Sequence, residues 1–208
     1  MQTTSRPTAR NVRNRATHAA ILEASAQILN DVGYGRFTIE AVAKRSGAGK
    51  PTIYRWWKSK SELFMELYNR ESAAMLPVQD LGSVRAELIG QMVALFAFWR
   101  DTACGRAFRG LIAESQADEA SLARLRDQFM PERRNLARVI FERGCRRGEI
   151  DEEAPIDAAI DMLYGFTIYR LLTDQLDNPE PAIHATVDML LRGLRVQETS
   201  TPASSGGE

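Results

Sequence analysis

Cysteine and histidine are both scarce: this 208-residue chain has two of each. Cys104 and Cys145 lack the close spacing of a metal knuckle, so no metal site is expected, and their small number fits a reducing cytoplasm. His18 and His184 have no nucleophile or acid partner near them in sequence. A phosphate-cradling glycine loop, a dinucleotide loop and a metal-ligand cluster are also missing, so neither enzyme chemistry nor a cofactor is expected. The acidic stretch Glu149-Ile-Asp-Glu-Glu153 reads as a solvated loop. No apolar run approaches the roughly 20 residues of a membrane span. The arginines near the start are followed by no apolar block, which speaks against a signal peptide. Alternating strand patterns and internal repeats are missing too.

Net charge is zero, but its distribution is uneven. Residues 1–60 hold 11 Lys/Arg and 3 Asp/Glu, giving 11 − 3 = +8; residues 61–208 hold 16 and 24, giving 16 − 24 = −8. A basic first quarter on an acidic remainder implies that only the first part meets a polyanion. Apolar residues make up 44% of the chain, enough for a substantial core.

Helical periodicity dominates. Residues 1–11 read as a flexible basic arm. A first helix follows from Val12 to Val32, with Ile21, Ser25, Ile28, Leu29 and Val32 on one stripe and Gly33 and Gly35 after it. Thr38 is a good N-cap for a helix over 39–46, and Gly47 sits at its left-handed C-cap. A short helix over 50–56 carries Pro51 in its first turn, where the missing N–H costs nothing. Ser59-Lys-Ser-Glu62 is a capping box opening a fourth helix to about Ala74, before Pro77. Beyond residue 80, helices are expected near 83–101, 105–116, 119–147 (interrupted or kinked at Pro131), 155–176 and 180–195, with a disordered tail over 197–208.

Residues 38–63, TIEAVAKRSGAGKPTIYRWWKSKSEL, therefore read as helix, glycine turn, helix, and capped start of a third helix. That is the sequence form of a helix-turn-helix, whose second helix enters the major groove of DNA. Ile53 and Trp57 are four apart and should pack inward on Ile39, Val42 and the first helix. Lys50, Pro51, Thr52, Tyr54, Arg55 and Trp56 are left at the groove-facing side. Hydroxyls such as those of Thr52 and Tyr54 reach phosphates, and Arg55 is long enough for guanine O6 and N7. Thr38 and Lys60 lie at helix starts, where free N–H groups bind phosphate. Lys44 and Arg45 read as a solvated face.

The order Thr38, Val42, Ala43, Ser46, Gly47, Ala48, Lys50, Thr52, Ile53, Tyr54, Trp56, Trp57, Ser59, Lys60, Leu63 resembles the TetR family of bacterial transcriptional regulators. Phe108–Ser115 and Arg146–Ile150 resemble one TetR-type C-terminal subfamily. The sequence departs from the family pattern at Gly49, which replaces a serine cap, and at Pro51, which replaces a glycine. The architecture expected is all-α. A three-helix helix-turn-helix DNA-binding domain covers 12–75, and a larger helical effector-binding and dimerisation domain covers 80–196, about nine helices in all.

In that second domain the 155–176 helix is apolar nearly all round and so must be buried on more than one side. With the last helix it can form a four-helix bundle between two copies, as the resemblance also implies; Leu163, Leu171, Val187, Leu190 and Leu194 are the interface candidates, facing the partner or the core behind it. Phe96, Trp99, Phe108, Ile112, Tyr164 and Tyr169 are the candidates to line an effector pocket. The function implied is a cytoplasmic, homodimeric, sequence-specific regulator. It would act as a repressor on a two-fold operator in double-stranded DNA, released by an unidentified small molecule, with no membrane role. A cysteine-based redox sensor, an activator of the same fold and a helical adaptor with no DNA role are the alternatives.

Overall fold

The computed structural model describes residues 9–194, with side-chain surroundings from residue 14. Most of the expected arm, and the expected tail, lie outside the described residues. Among the described residues there are ten α-helices and no strand. The first four are α1 (Ala9–Val32), α2 (Ile39–Ser46), α3 (Lys50–Trp56) and α4 (Lys60–Met75), with a 3-10 turn at Tyr34–Arg36. Then come α5 (Val84–Asp101), α6 (Ala103–Ser115), α7 (Glu119–Arg124), α8 (Met130–Arg146), α9 (Ile156–Leu172) and α10 (Glu180–Leu194).

Side-chain caps start many of these helices. The oxygens of Thr38, Ser59, Ser83, Thr102 and Asp118 accept from the backbone N–H three residues on, at 2.8–3.2 Å. Each satisfies one of the donors a helix start leaves orphaned. Gly47 ends α2 at φ 69°, in the left-handed region that a side chain disfavours. The box at Ser59 differs from expectation in one bond. Glu62 Oε2 accepts from the N–H of Lys58 at 2.7 Å, one residue ahead of the N-cap.

Two other sequence expectations are shifted in position. The first helix starts at Ala9 rather than Val12. The long helix over 119–147 is broken by one π turn at Leu125–Phe129, ahead of Pro131. The interruption falls beside the proline, as expected, but just ahead of it, and Pro131 lies in the first turn of α8.

One apolar core runs through both halves. Ile21, Ile28, Val42, Ile53 and Trp57 fill the space between α1, α2 and α3; Leu67, Tyr68, Phe98, Trp99 and Phe108 continue it into the second half. Gly110 lets α6 approach the 3-10 turn: a Cβ there would lie 2.7 Å from the Tyr34 ring. The start of α4 is tied to the second half by charge as well. Lys60 Nζ lies 2.6 Å from Glu114 Oε2 on α6, and Arg124 Nε lies 3.5 Å from Glu62 Oε1.

Of their two expected places, partner or core, the interface candidates take the core and not the outer face. Leu163, Leu171, Val187, Leu190 and Leu194 are all buried within the single chain. They are the inner stripes of α9 and α10, held by the chain's own core. The outer face of α9 instead carries exposed Ala158, Met162, Gly165, Tyr169 and Leu172, spaced by four and three residues. On α10 the exposed face carries Ala185, Met189 and Gly193.

Candidate nucleic-acid interface and core cavity

The α2–turn–α3 unit sets the register of α3. Ile53 is fully buried and Trp57 is 3% exposed, so both are turned into the core. Trp57 is further fixed by donating Nε1–H to Glu66 Oε2 on α4 at 2.6 Å. His18 of α1 packs against the same indole at 4.8 Å and reaches the other Glu66 oxygen at 2.9 Å. With those two positions pinned, Lys50, Pro51, Tyr54 and Arg55 are exposed and Thr52 is half-buried.

The cations of this face are not equivalent. Lys50 Nζ is paired with Glu40 Oε1 of α2 at 2.6 Å, and each raises the other's charged-state stability: the carboxyl is lowered and the ammonium raised, mainly by that hydrogen bond. Arg55 has no carboxylate partner among the described residues and lies 5.0 Å over the ring of Trp56. Trp56 itself is half-buried, edge-on to His18 at 5.3 Å, so it is a platform for Arg55 more than a free probe. Thr38 is exposed at the α2 start, with its hydroxyl in the cap.

Lys60 is placed differently from expectation. Its ammonium is held between Glu114 and the face of Tyr34, 4.8 Å from the ring centroid. In this arrangement it joins α4 to α6. Burial, reinforced by Glu114, pushes the Tyr34 phenol upward, so that ring is a neutral partner.

In the second half a cavity lies among α4, α5, α6, α8 and α9. Trp99, Phe108 and Tyr164, three of the six sequence candidates, line it. The other three do not. Phe96 is fully buried behind the wall, 5.9 Å from Trp99 and 6.1 Å from Phe166. Ile112 is half-buried on α6 outside the lining, and Tyr169 is 60% exposed on the outer face of α9. The cavity contains about 530 Å³ of empty space, counting its open mouth. Trp99 donates Nε1–H to the Tyr68 hydroxyl at 2.8 Å. The Tyr164 hydroxyl donates to the Arg133 carbonyl at 2.6 Å, and burial pushes that phenol up to about 12.

Comparison with known proteins matches this two-part plan. Residues 21–67 match the family of bacterial regulatory proteins, tetR family, and residues 78–190 match the tetracyclin repressor-like C-terminal domain. The chain belongs to the TetR family of transcriptional regulators. An uncharacterized HTH-type transcriptional regulator, YdeS of Bacillus subtilis, is 33% identical over 77% of this chain and 80% of its own length. The DNA-binding transcriptional repressor TetR of Mycobacteroides abscessus is 37% identical over a shorter stretch, 38% of this chain and 43% of that protein. Among solved structures, the TetR family transcription regulator SCO0332 has a TM-score of 0.75 and 31% identity, covering 86% of this chain and 99% of that one.

Within this TetR-family chain the sequence reading missed Tyr68 and Arg133, which also line the cavity. Tyr68 reads as one more apolar position of α4. Arg133 reads as one of many arginines in a charged helix, and nothing local marks it as turned inward. The two thiols are held protonated. Burial raises Cys104, reinforced by the carboxylate of Glu71; burial also raises Cys145, beside Glu152 and Asp151. A redox sensor needs the reverse, a thiol lowered toward the thiolate. None of the helices among the described residues is long and apolar enough to cross a membrane.

Proposed function

We propose that this regulator is a homodimeric, cytoplasmic repressor that binds a two-fold operator and leaves it when a small molecule fills the α4–α9 cavity. One observation carries the DNA-binding part. Ile53 and Trp57 are locked in the core, which turns Arg55, Tyr54 and Lys50 outward on α3. Arg55 then supplies base-edge contact, while Lys50, Thr52, Tyr54 and Thr38 supply phosphate contact.

A single helix-turn-helix reads too few base pairs, so a two-fold site needs two readers about 34–36 Å apart. The exposed apolar stripes of α9 and α10 supply the surface for pairing. Glycines inside a helix cost roughly 1 kcal/mol against alanine. Gly165 and Gly193 are both exposed on these faces, with nothing within 4 Å of a Cβ placed there. A partner helix approaching closely at both positions accounts for residues that the single chain does not require.

Release follows if the effector binds the DNA-incompetent spacing more tightly than the competent one; equal affinity shifts nothing. Selection of bound sequences from random DNA tests the whole reading. A two-fold site should emerge. Its affinity should fall with salt at a slope of about −5 to −9, corresponding to roughly 6–10 phosphate contacts per dimer. A slope shallower than about −2, or no enriched site, refutes it.

A further inference from the structure

We propose that the cavity takes a small organic acid, one carboxylate on an apolar or aromatic body, and that Arg133 recognises its charge. This rests on reading the cavity as the effector site. Arg133 is the one charged residue of its lining, which has no Asp or Glu. The walls are otherwise largely apolar, with Leu95, Trp99, Phe108, Met130, Leu136 and Ile168. A neighbouring open groove, about 370 Å³ of empty space counting its open side, shares Gln91, Leu95, Ala137 and Tyr164 with the cavity and offers further apolar surface.

Arg133 is held but not neutralised. Its terminal nitrogens donate to Ser72 Oγ and Asn69 Oδ1, each at 2.7 Å, and both acceptors are uncharged. Its Nε is buried with no acceptor. The guanidinium lies 5.6 Å over the Tyr68 ring and 5.4 Å over Phe129. Acidic charge reaches it through an intermediary: Glu132 Oε2 accepts from Asn69 Nδ2 at 2.7 Å. An arginine cannot discharge by losing its proton, so the group stays cationic beside apolar walls. A carboxylate satisfies that cation with paired charge-assisted bonds, about twice as strong as those to neutral acceptors.

The single guanidinium favours a monoanion. A dianionic phosphate would bring one charge into the cavity with no partner, which is costly. Tyr68 adds a donor. Its oxygen accepts from Trp99, none of the described residues takes its proton, and burial raises the phenol. The acid also competes directly with Asn69 and Ser72, the α4 residues that Arg133 now holds. Recognition and loosening of α4 are thus the same event.

The test is calorimetric titration of the full chain with hexanoate, octanoate, benzoate and 4-phenylbutyrate, against the matched amides. Acids should bind roughly tenfold or more tightly than amides, and Arg133→Met should abolish that preference while Arg133→Lys keeps part of it. Asn69→Ala frees the guanidinium and should tighten acid binding; this variant carries the test if Arg133→Met does not fold. Amides binding as well as acids would overturn the acid inference and leave the effector reading standing. Binding of neither class, with operator affinity unmoved, would overturn both.

Discussion

Met189 and Leu190 are neighbours on α10, and a glutamate at each should have opposite consequences. Met189 is 69% exposed in the single chain, whereas Leu190 is 7% exposed and packs in the core. If the outer face of α9 and α10 pairs two copies, two-fold symmetry buries two Met189 side chains per dimer. Burying a methionine contributes about 1.5–3 kcal/mol, so the pair contributes about 3–6 kcal/mol. At 1.4 kcal/mol per tenfold, Met189→Glu should weaken dimerisation by about 10²- to 10⁴-fold. Forcing two carboxylates together adds to that. The protomer itself should remain folded, with an unchanged helical circular dichroism signal.

Leu190→Glu should do the reverse. It buries an unpaired carboxylate in the chain's own core at a cost of several kcal/mol, a large part of the 5–15 kcal/mol of an ordinary domain. That variant should melt early or fail to fold at any concentration. Analytical ultracentrifugation over micromolar concentrations, beside thermal melts, separates the two outcomes. A wild-type monomer at micromolar concentration, or a Met189→Glu protein that dimerises as tightly as wild type, would refute the assignment of this face.

Other consequences are open to direct measurement. Arg55→Ala should cost about 1–3 kcal/mol of operator binding and relax preference at one position per half-site; a uniform loss across sequences would make Arg55 a phosphate contact instead. Lys60 is in a half-exposed pair with Glu114, worth at most about 1 kcal/mol, so a double-mutant cycle of Lys60→Ala and Glu114→Ala should show coupling of that size. Additive effects would mean that the contact does not join the two halves in solution. Both thiols are raised, so the thiolate share at pH 8 is below that of a free cysteine. Alkylation should therefore run slower than for a free thiol, slowest at buried Cys104; rapid labelling of both by iodoacetamide in the folded protein would reopen the redox alternative.

Residues 38–63 made the DNA-reading half legible because its signals are local. A threonine cap, a left-handed glycine and a serine cap set the helix ends within one turn each. The four-residue spacing of Ile53 and Trp57 turns the opposite side of α3 outward whatever else the chain does. The charge division between residues 1–60 and the remainder needs no fold to be seen.

Three features were decided only by tertiary structure. Lys60 reads as a solvent-facing cation at a helix start until α6 brings Glu114 to 2.6 Å, from far along the chain. Helix α9 is apolar nearly all round, and apolarity does not say which of its faces meets the chain's own core. The structure gives Leu163, Val187 and Leu190 to that core and leaves Met162, Tyr169 and Met189 outside. Arg133 sits in a helix rich in arginine, so its type carries no direction. Only the packing of α8 against α4 turns this one arginine toward Ser72, Asn69 and the cavity. Sequence periodicity determines which sides of a helix are apolar, whereas the choice of neighbour for each side depends on how all the helices fill one volume together.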